Sequence, residues 1–125
     1  MSRYSQTVMD HFTDPRNRGR VESPDFVGIS GRLGRGPSLV LTVKVADGVV
    51  SKAACESYGC GVTIAIGSLL TELLLGRSRE QCRKLGVDAL LEMAGGLPPD
   101  KRHCAGLAAG AVRDMLDQWE RRENL

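Results

Sequence analysis

The stretch Ser38–Gly76, SLVLTVKVADGVVSKAACESYGCGVTIAIGSLLTELLLG, decides the fold. Its opening alternates. Leu39, Leu41, Val43 and Val45 fall on one face and Val40, Thr42 and Lys44 on the other, the period-two pattern of a strand. Asp47-Gly48 follows, a tight-hairpin signal, so residues 49–58 read as the antiparallel partner. From 61 onward the period changes. Val62, Ala65, Ile66, Leu69, Leu70, Leu73 and Leu74 make the broad apolar face of a central helix, and Gly76 ends it. A hairpin alone buries too little surface to stand in water, so it needs a third strand or a helical cover.

Working outward, both requirements find candidates. Upstream, Tyr4, Val8, Met9 and Phe12 recur at helical spacing over residues 4–12, and Pro15 and Gly19 stop that helix. Residues 19–27 read as a loop, and the glycine-rich 27–38 as a short strand followed by a mobile loop. Downstream, Ser78-Arg79-Glu80-Gln81 is a capping-box pattern for a short helix carrying Cys82. Residues 86–96 give another short helix, and 97–104 a rigid proline-containing lead-in. A last amphipathic helix runs over 103–122, with Leu107, Ala111, Met115 and Trp119 in register. Strands early and helices late predict an α+β fold: a small antiparallel sheet of about three strands with several helices packed on one face. The expected unit is a single domain over residues 1–125.

Composition narrows the function classes. Hydrophobic residues make up 42% of the chain, and the 15 glycines bring it into the range of packed globular proteins. Aromatic residues are few (Tyr4, Phe12, Phe26, Tyr58, Trp119), so the core is expected to be aliphatic. With 17 basic and 15 acidic residues the charge nearly balances, which argues against a general nucleic-acid binder. No apolar run is long enough to span a membrane, and the N-terminus lacks the apolar run of a secretion signal. The expectation is a cytoplasmic protein. Its four cysteines then favour metal or thiol chemistry, or plain packing, over disulfides.

Two of those cysteines, Cys60 and Cys104, sit at predicted helix starts. Free N–H groups and the positive end of the helix dipole stabilise a thiolate there, the form that binds metal or attacks sulfur. His103 precedes Cys104 and adds a third potential ligand for a tetrahedral site. The alternative is that these cysteines only pack, as buried cysteines often do. Cys55 shares a strand face with Val49 and Ala53 and reads as a packing residue; Cys82 has no assigned role. His11 reads as a solvated or capping residue. The loop GRLGRGPS resembles a phosphate loop only loosely, because no Gly-Lys-Ser/Thr follows and a strand comes next where that motif needs a helix.

Three segments, taken in order, resemble one known family. YSQTVMDHFTDPRNRG (4–19) resembles the opening helix and Asn-Pro-Arg-Asn turn of the U-type iron–sulfur cluster assembly scaffolds, meaning IscU and the N-terminal domain of NifU. YGCG (58–61) resembles their second-cysteine motif, and LPPDKRHCAGLA (97–108) their Leu-Pro-Pro-x-Lys-x-His-Cys segment. The resemblance implies loops converging on one exposed site that receives sulfur from a cysteine desulfurase, assembles a [2Fe-2S] cluster and passes it to cluster-accepting proteins. It implies Cys60, His103 and Cys104 as metal or cofactor ligands, Cys104 as the persulfide acceptor, and Lys101 beside the site. The short span from Cys60 to Cys104 fits the IscU-like branch rather than the branch with a long insertion.

The chain departs from that pattern at two places. The family's first motif, Gly-x-Pro-x-Cys-Gly-Asp, falls on GRLGRGP (31–37), where Arg35 stands at the cysteine position and Pro37 at the aspartate position. Asp100 replaces an apolar residue in the chaperone-recognition segment, which weighs against an Hsp70-type chaperone partner. Three functions are therefore expected in competition. One is a scaffold or carrier holding iron, a [2Fe-2S] cluster or a single metal through a reduced ligand set. Another is a non-catalytic paralogue that binds and regulates a desulfurase or other assembly partner. The third is a zinc-binding or persulfide sulfur-relay protein. None is an enzyme in the ordinary sense.

Overall fold

The computed structural model describes residues 3–124. In chain order the elements are α1 (Gln6–Thr13), β1 (Phe26–Gly31), β2 (Ser38–Ala46), β3 (Val49–Tyr58), α2 (Gly61–Leu74), α3 (Arg79–Cys82), α4 (Val87–Met93), a 3-10 turn (Pro99–Lys101) and α5 (His103–Glu123). The strands form one antiparallel sheet in the order β1-β2-β3. α2 packs on β3 and α1, while α5 packs on β1 and β2. The expected α+β architecture is the one observed. The Asp47-Gly48 turn has φ of 55° and 79°, as a tight hairpin requires.

The inner sheet face follows the alternation of β2, with Leu39, Leu41 and Val43 fully buried. β3 departs from it. Its pairing runs Val43↔Ala53 and Lys44↔Lys52, then jumps to Val45↔Val50, so Ser51 is an extra residue in a bulge. A bulge reverses the inward parity of everything beyond it. Val50 is therefore the core residue, and Val49, expected on the face of Ala53 and Cys55, is only half-buried. Cys55 is buried opposite Leu41, as a packing residue should be. Cys82 is buried as well. The core is mostly aliphatic, and within it Phe26 stacks on Trp119 with centroids 5.7 Å apart.

The outer sheet face is buried too, at Val40, Thr42 and Ala54. The segment read as a loop supplies the cover. The Gly19 N–H donates to the Cys55 carbonyl at 3.2 Å, and the Cys55 N–H donates to Asn17 at 2.9 Å, a short parallel bridge along the outer edge of β3. The Val21 N–H then donates to the Thr42 hydroxyl at 2.8 Å. At the opposite edge α5 closes β1. Asp114 accepts from the Ile29 N–H at 2.8 Å, and Gln118 accepts from the Val27 N–H at 3.1 Å. Edge strands left open invite pairing with other chains, and these two side chains occupy the donors.

α1 corrects two expectations. It begins later than expected, with Ser5 accepting from the Val8 N–H at 3.1 Å as its cap, so Tyr4 lies outside the helix. Its buried residues are Val8 and His11, and Phe12 is half exposed. His11 is not solvated. It lies 2.7 Å from the Ser68 hydroxyl through Nδ1 and 3.2 Å from Glu72 through Nε2. Ser68 also accepts from the Arg16 N–H at 2.7 Å, so one buried serine ties the helix and the following turn to α2.

Burial, then the Arg16 charge, hold the His11 imidazole below its usual 6.5, against opposing pulls from Glu72 and Asp10. The unfolded chain thus takes up this proton at a higher pH than the folded one, and stability falls as pH drops below about 6.5. The urea midpoint is expected to be lower at pH 5.5 than at pH 7.5, with much of that difference gone in His11→Asn. An identical pH dependence in the variant would show that His11 does not contribute.

Candidate functional site: two thiols on one hydroxyl

The site forms where the starts of α2 and α5 meet. Cys60 is the N-cap of α2, in extended conformation, and is exposed. Cys104, in the first turn of α5, is 0% exposed. Between them stands Thr63, three residues into α2. Its Oγ1 lies 3.7 Å from Cys60 Sγ and 3.5 Å from Cys104 Sγ. The Lys101 ammonium donates toward Cys60 Sγ at 3.7 Å, and His103 Nε2 lies 3.7 Å from Cys104 Sγ. Cys60, Lys101, His103 and Cys104 are thus gathered, although three helices, α2, α3 and α4, separate Cys60 from the other three along the chain.

Thr63 was not legible as a site residue. The available signal was positional: the third residue after a helix cap faces back toward that cap, as in a capping box. The backbone makes room for it. Gly59 has φ +151°, and a Cβ there would stand 2.9 Å from Thr63 Oγ1 and 3.4 Å from Pro37 Cβ. Gly61 serves Phe12 likewise, since a Cβ there would fall 2.4 Å from the ring. Phe12 and Pro37 therefore flank the glycines on either side of Cys60.

The two thiols sit in opposite electrostatic settings. Partial burial disfavours the Cys60 thiolate. The Thr63 N–H and hydroxyl, the Val62 N–H and the Lys101 charge outweigh it, and the thiol is drawn down to about 7. Burial pushes the Cys104 thiol up; Thr63 opposes this and the neighbouring Cys60 adds to it. Cys55 and Cys82 are driven to about 11, chiefly by burial, which makes them inert.

Arg35 is not drawn into this group. It lies in the exposed loop between β1 and β2, its N–H donating to the Arg32 carbonyl at 3.0 Å. Among the described residues its side chain makes no hydrogen bond or ion pair. Asp100 pairs with Arg3, an exposed contact of small energetic weight. Among the described residues no three or more His, Cys, Asp and Glu side chains are close enough together to hold a metal ion. Two thiols and an imidazole suit iron or zinc chemically, but they do not form a closed cage.

The family model for the NifU-like N-terminal domain matches residues 3–125. The chain belongs to that family. The iron–sulfur cluster assembly scaffold protein IscU 1 of Archaeoglobus fulgidus is 38% identical over 119 residues, covering 95% of this chain and 78% of that protein. The scaffold protein IscU of Azotobacter vinelandii is 33% identical, with 98% of each covered. The crystal structure of a NifU-like N-terminal protein from Brucella abortus superposes with a TM-score of 0.72 at 19% identity, covering 94% of each chain, and so shares the fold. In this NifU-like chain Arg35 and Pro37 stand in the loop between β1 and β2. No helix among the described residues is long and apolar enough to cross a membrane.

Proposed function

We propose that this NifU-like chain is a cytoplasmic iron–sulfur cluster assembly scaffold. In this reading Cys60, Cys104 and His103 hold iron, or the growing [2Fe-2S] cluster, as cargo in a site with an open position. Sulfur arrives from a cysteine desulfurase, and the cargo leaves to accepting proteins. The observation that carries this is the meeting of Cys60 and Cys104 on the Thr63 hydroxyl, from two different helix starts. One thiol is exposed and poised as a thiolate near neutral pH. The relatives named as scaffolds, aligned over nearly the whole chain, support the same reading. A site assembled from these three donors would leave one position open, which favours exchange over permanent storage. The chain acts as a carrier and not as a catalyst.

The sparse donor set also favours a second reading, a sulfur relay or zinc binder that never holds a cluster. Anaerobic reconstitution with ferrous iron and sulfide separates the two. The scaffold reading predicts sulfide-to-iron charge-transfer absorption that is lost in Cys60→Ala and in Cys104→Ala. Absence of that absorption in the native chain, with zinc or sulfane sulfur bound instead, rejects it.

The loop supplies a companion prediction. An arginine carries a fixed positive charge and no metal-binding lone pair. Arg35→Cys combined with Pro37→Asp is expected to slow cluster loss to a chelator by about 10-fold or more, as a further thiolate joins the site. Equal retention by the native chain would show that the first loop does not limit binding.

A further inference from the structure

We propose that the Thr63 hydroxyl carries a proton between Cys60 and Cys104 while a sulfane sulfur passes from the exposed thiol to the buried one. The idea rests on the reading of this site as a sulfur-accepting one, and adds an order of events and a residue to it.

Access sets the order. Cys60 is exposed and Cys104 is fully buried, so an incoming donor reaches Cys60 first. Thr63 sets the route. A threonine inside a helix usually returns its hydroxyl to a carbonyl one turn back. Thr71 of the same helix does so, donating to the Ser68 carbonyl at 2.7 Å. Thr63, equally buried, has only the two sulfurs as hydroxyl partners among the described residues. A hydroxyl donates once and accepts through its lone pairs, so it can take a proton from one sulfur while giving its own to the other. Gly59, lacking a Cβ, lets the backbone close over this hydroxyl.

The chemistry balances without an added oxidant. The Cys60 thiolate first takes the terminal sulfur of a sulfane-sulfur donor and becomes a persulfide, and the donor leaves one sulfur shorter. Cys104 Sγ then attacks the outer sulfur of that persulfide. A bond forms from Cys104 Sγ to that sulfur, the bond from it to Cys60 Sγ breaks, and the electron pair stays on Cys60 Sγ. The Cys104 proton moves to Thr63 Oγ1 as the Thr63 proton moves to Cys60 Sγ. The result is a Cys104 persulfide and a Cys60 thiol, with the number of sulfane sulfurs unchanged. The Lys101 ammonium, 3.7 Å from Cys60 Sγ, steadies the negative charge on the departing sulfur.

Inorganic polysulfide is the probe, followed by rapid alkylation and peptide mass spectrometry of the metal-free protein. Persulfide is expected on Cys60 first and on Cys104 later. In Thr63→Val the label should collect on Cys60, with transfer slowed about 100-fold or more, the low end of acid–base contributions. Thr63→Ser, which keeps the hydroxyl, should restore transfer; a merely space-filling role would not distinguish these two variants in that order. Loading of Cys104 at the native rate in Cys60→Ser overturns the relay, as does undiminished transfer in Thr63→Val or persulfide on neither cysteine. Cluster reconstitution is scored separately, so the relay can fail while the scaffold reading stands.

Discussion

Gly28→Ala is expected to destabilise the protein by about 3 kcal/mol or more, at the upper end of the cost of overpacking. A Cβ at position 28 would lie 2.0 Å from the Ala111 carbonyl oxygen and 3.0 Å from Met115 Cβ. The obstacle is backbone in the middle of α5, so no side-chain rotation relieves it. The strand cannot retreat either, because its neighbours Val27 and Ile29 donate to Gln118 and Asp114 of the same helix. With a slope of about 1.3 kcal/mol/M, the urea midpoint should fall by roughly 2 M. Gly106→Ala is the matched control, being a helical glycine of α5 with no atom near its missing Cβ. That change should raise stability by about 0.5–1 kcal/mol through helix propensity alone. A loss below 1 kcal/mol for Gly28→Ala would mean that α5 and β1 do not approach as closely as described.

Cys60 should be the fast-reacting thiol of the metal-free protein. A thiol titrating at about 7 is half ionised at neutral pH, while Cys55 and Cys82, at about 11, are almost wholly protonated and also buried. Iodoacetamide at pH 7 is therefore expected to modify Cys60 more than about 100-fold faster than either of those two, even after allowing for the lower nucleophilicity of an acidic thiol. The fast phase should vanish in Cys60→Ser. Lys101→Met should slow it a few-fold at pH 7, since the ammonium is one of the groups that favour the thiolate. The sign is fixed by direction: losing the cation raises the thiol pKa and lowers the reactive fraction at any pH below it. Modification of Cys104 before Cys60 would contradict both the burial and the electrostatics described.

The elements were legible wherever a local period was unbroken. β2, the Asp47-Gly48 turn, α2 and α5 follow from alternation, turn chemistry and helical spacing. The capping box at Ser78 is present, with Ser78 accepting from the Gln81 N–H and Gln81 accepting from the Ser78 N–H. Misreadings arose where a non-local contact overrode the pattern. The bulge at Ser51 exchanged Val49 for Val50 in the core, and no residue type announces a bulge there. His11 looked polar and therefore exposed, yet a serine one element away in space satisfies it under cover. The segment after α1 looked like an ordinary loop, and it roofs the outer face of the sheet because Asn17, Gly19 and Val21 find backbone and hydroxyl partners on β3 and β2.

For the site, the sequence by itself singled out the candidate groups: thiols at two helix starts, an imidazole beside one and a lysine close before it in the chain. It determined the family as well, through three ordered motifs. Only the tertiary structure decided how these groups differ from one another. The approach of α2 to α5 buried one thiol and left the other in solvent, and it placed Thr63 between them. Ionisation and access depend on distances and burial across elements remote in the chain. Position at a helix start favours a thiolate at both cysteines alike; only burial by the neighbouring elements reverses that at Cys104.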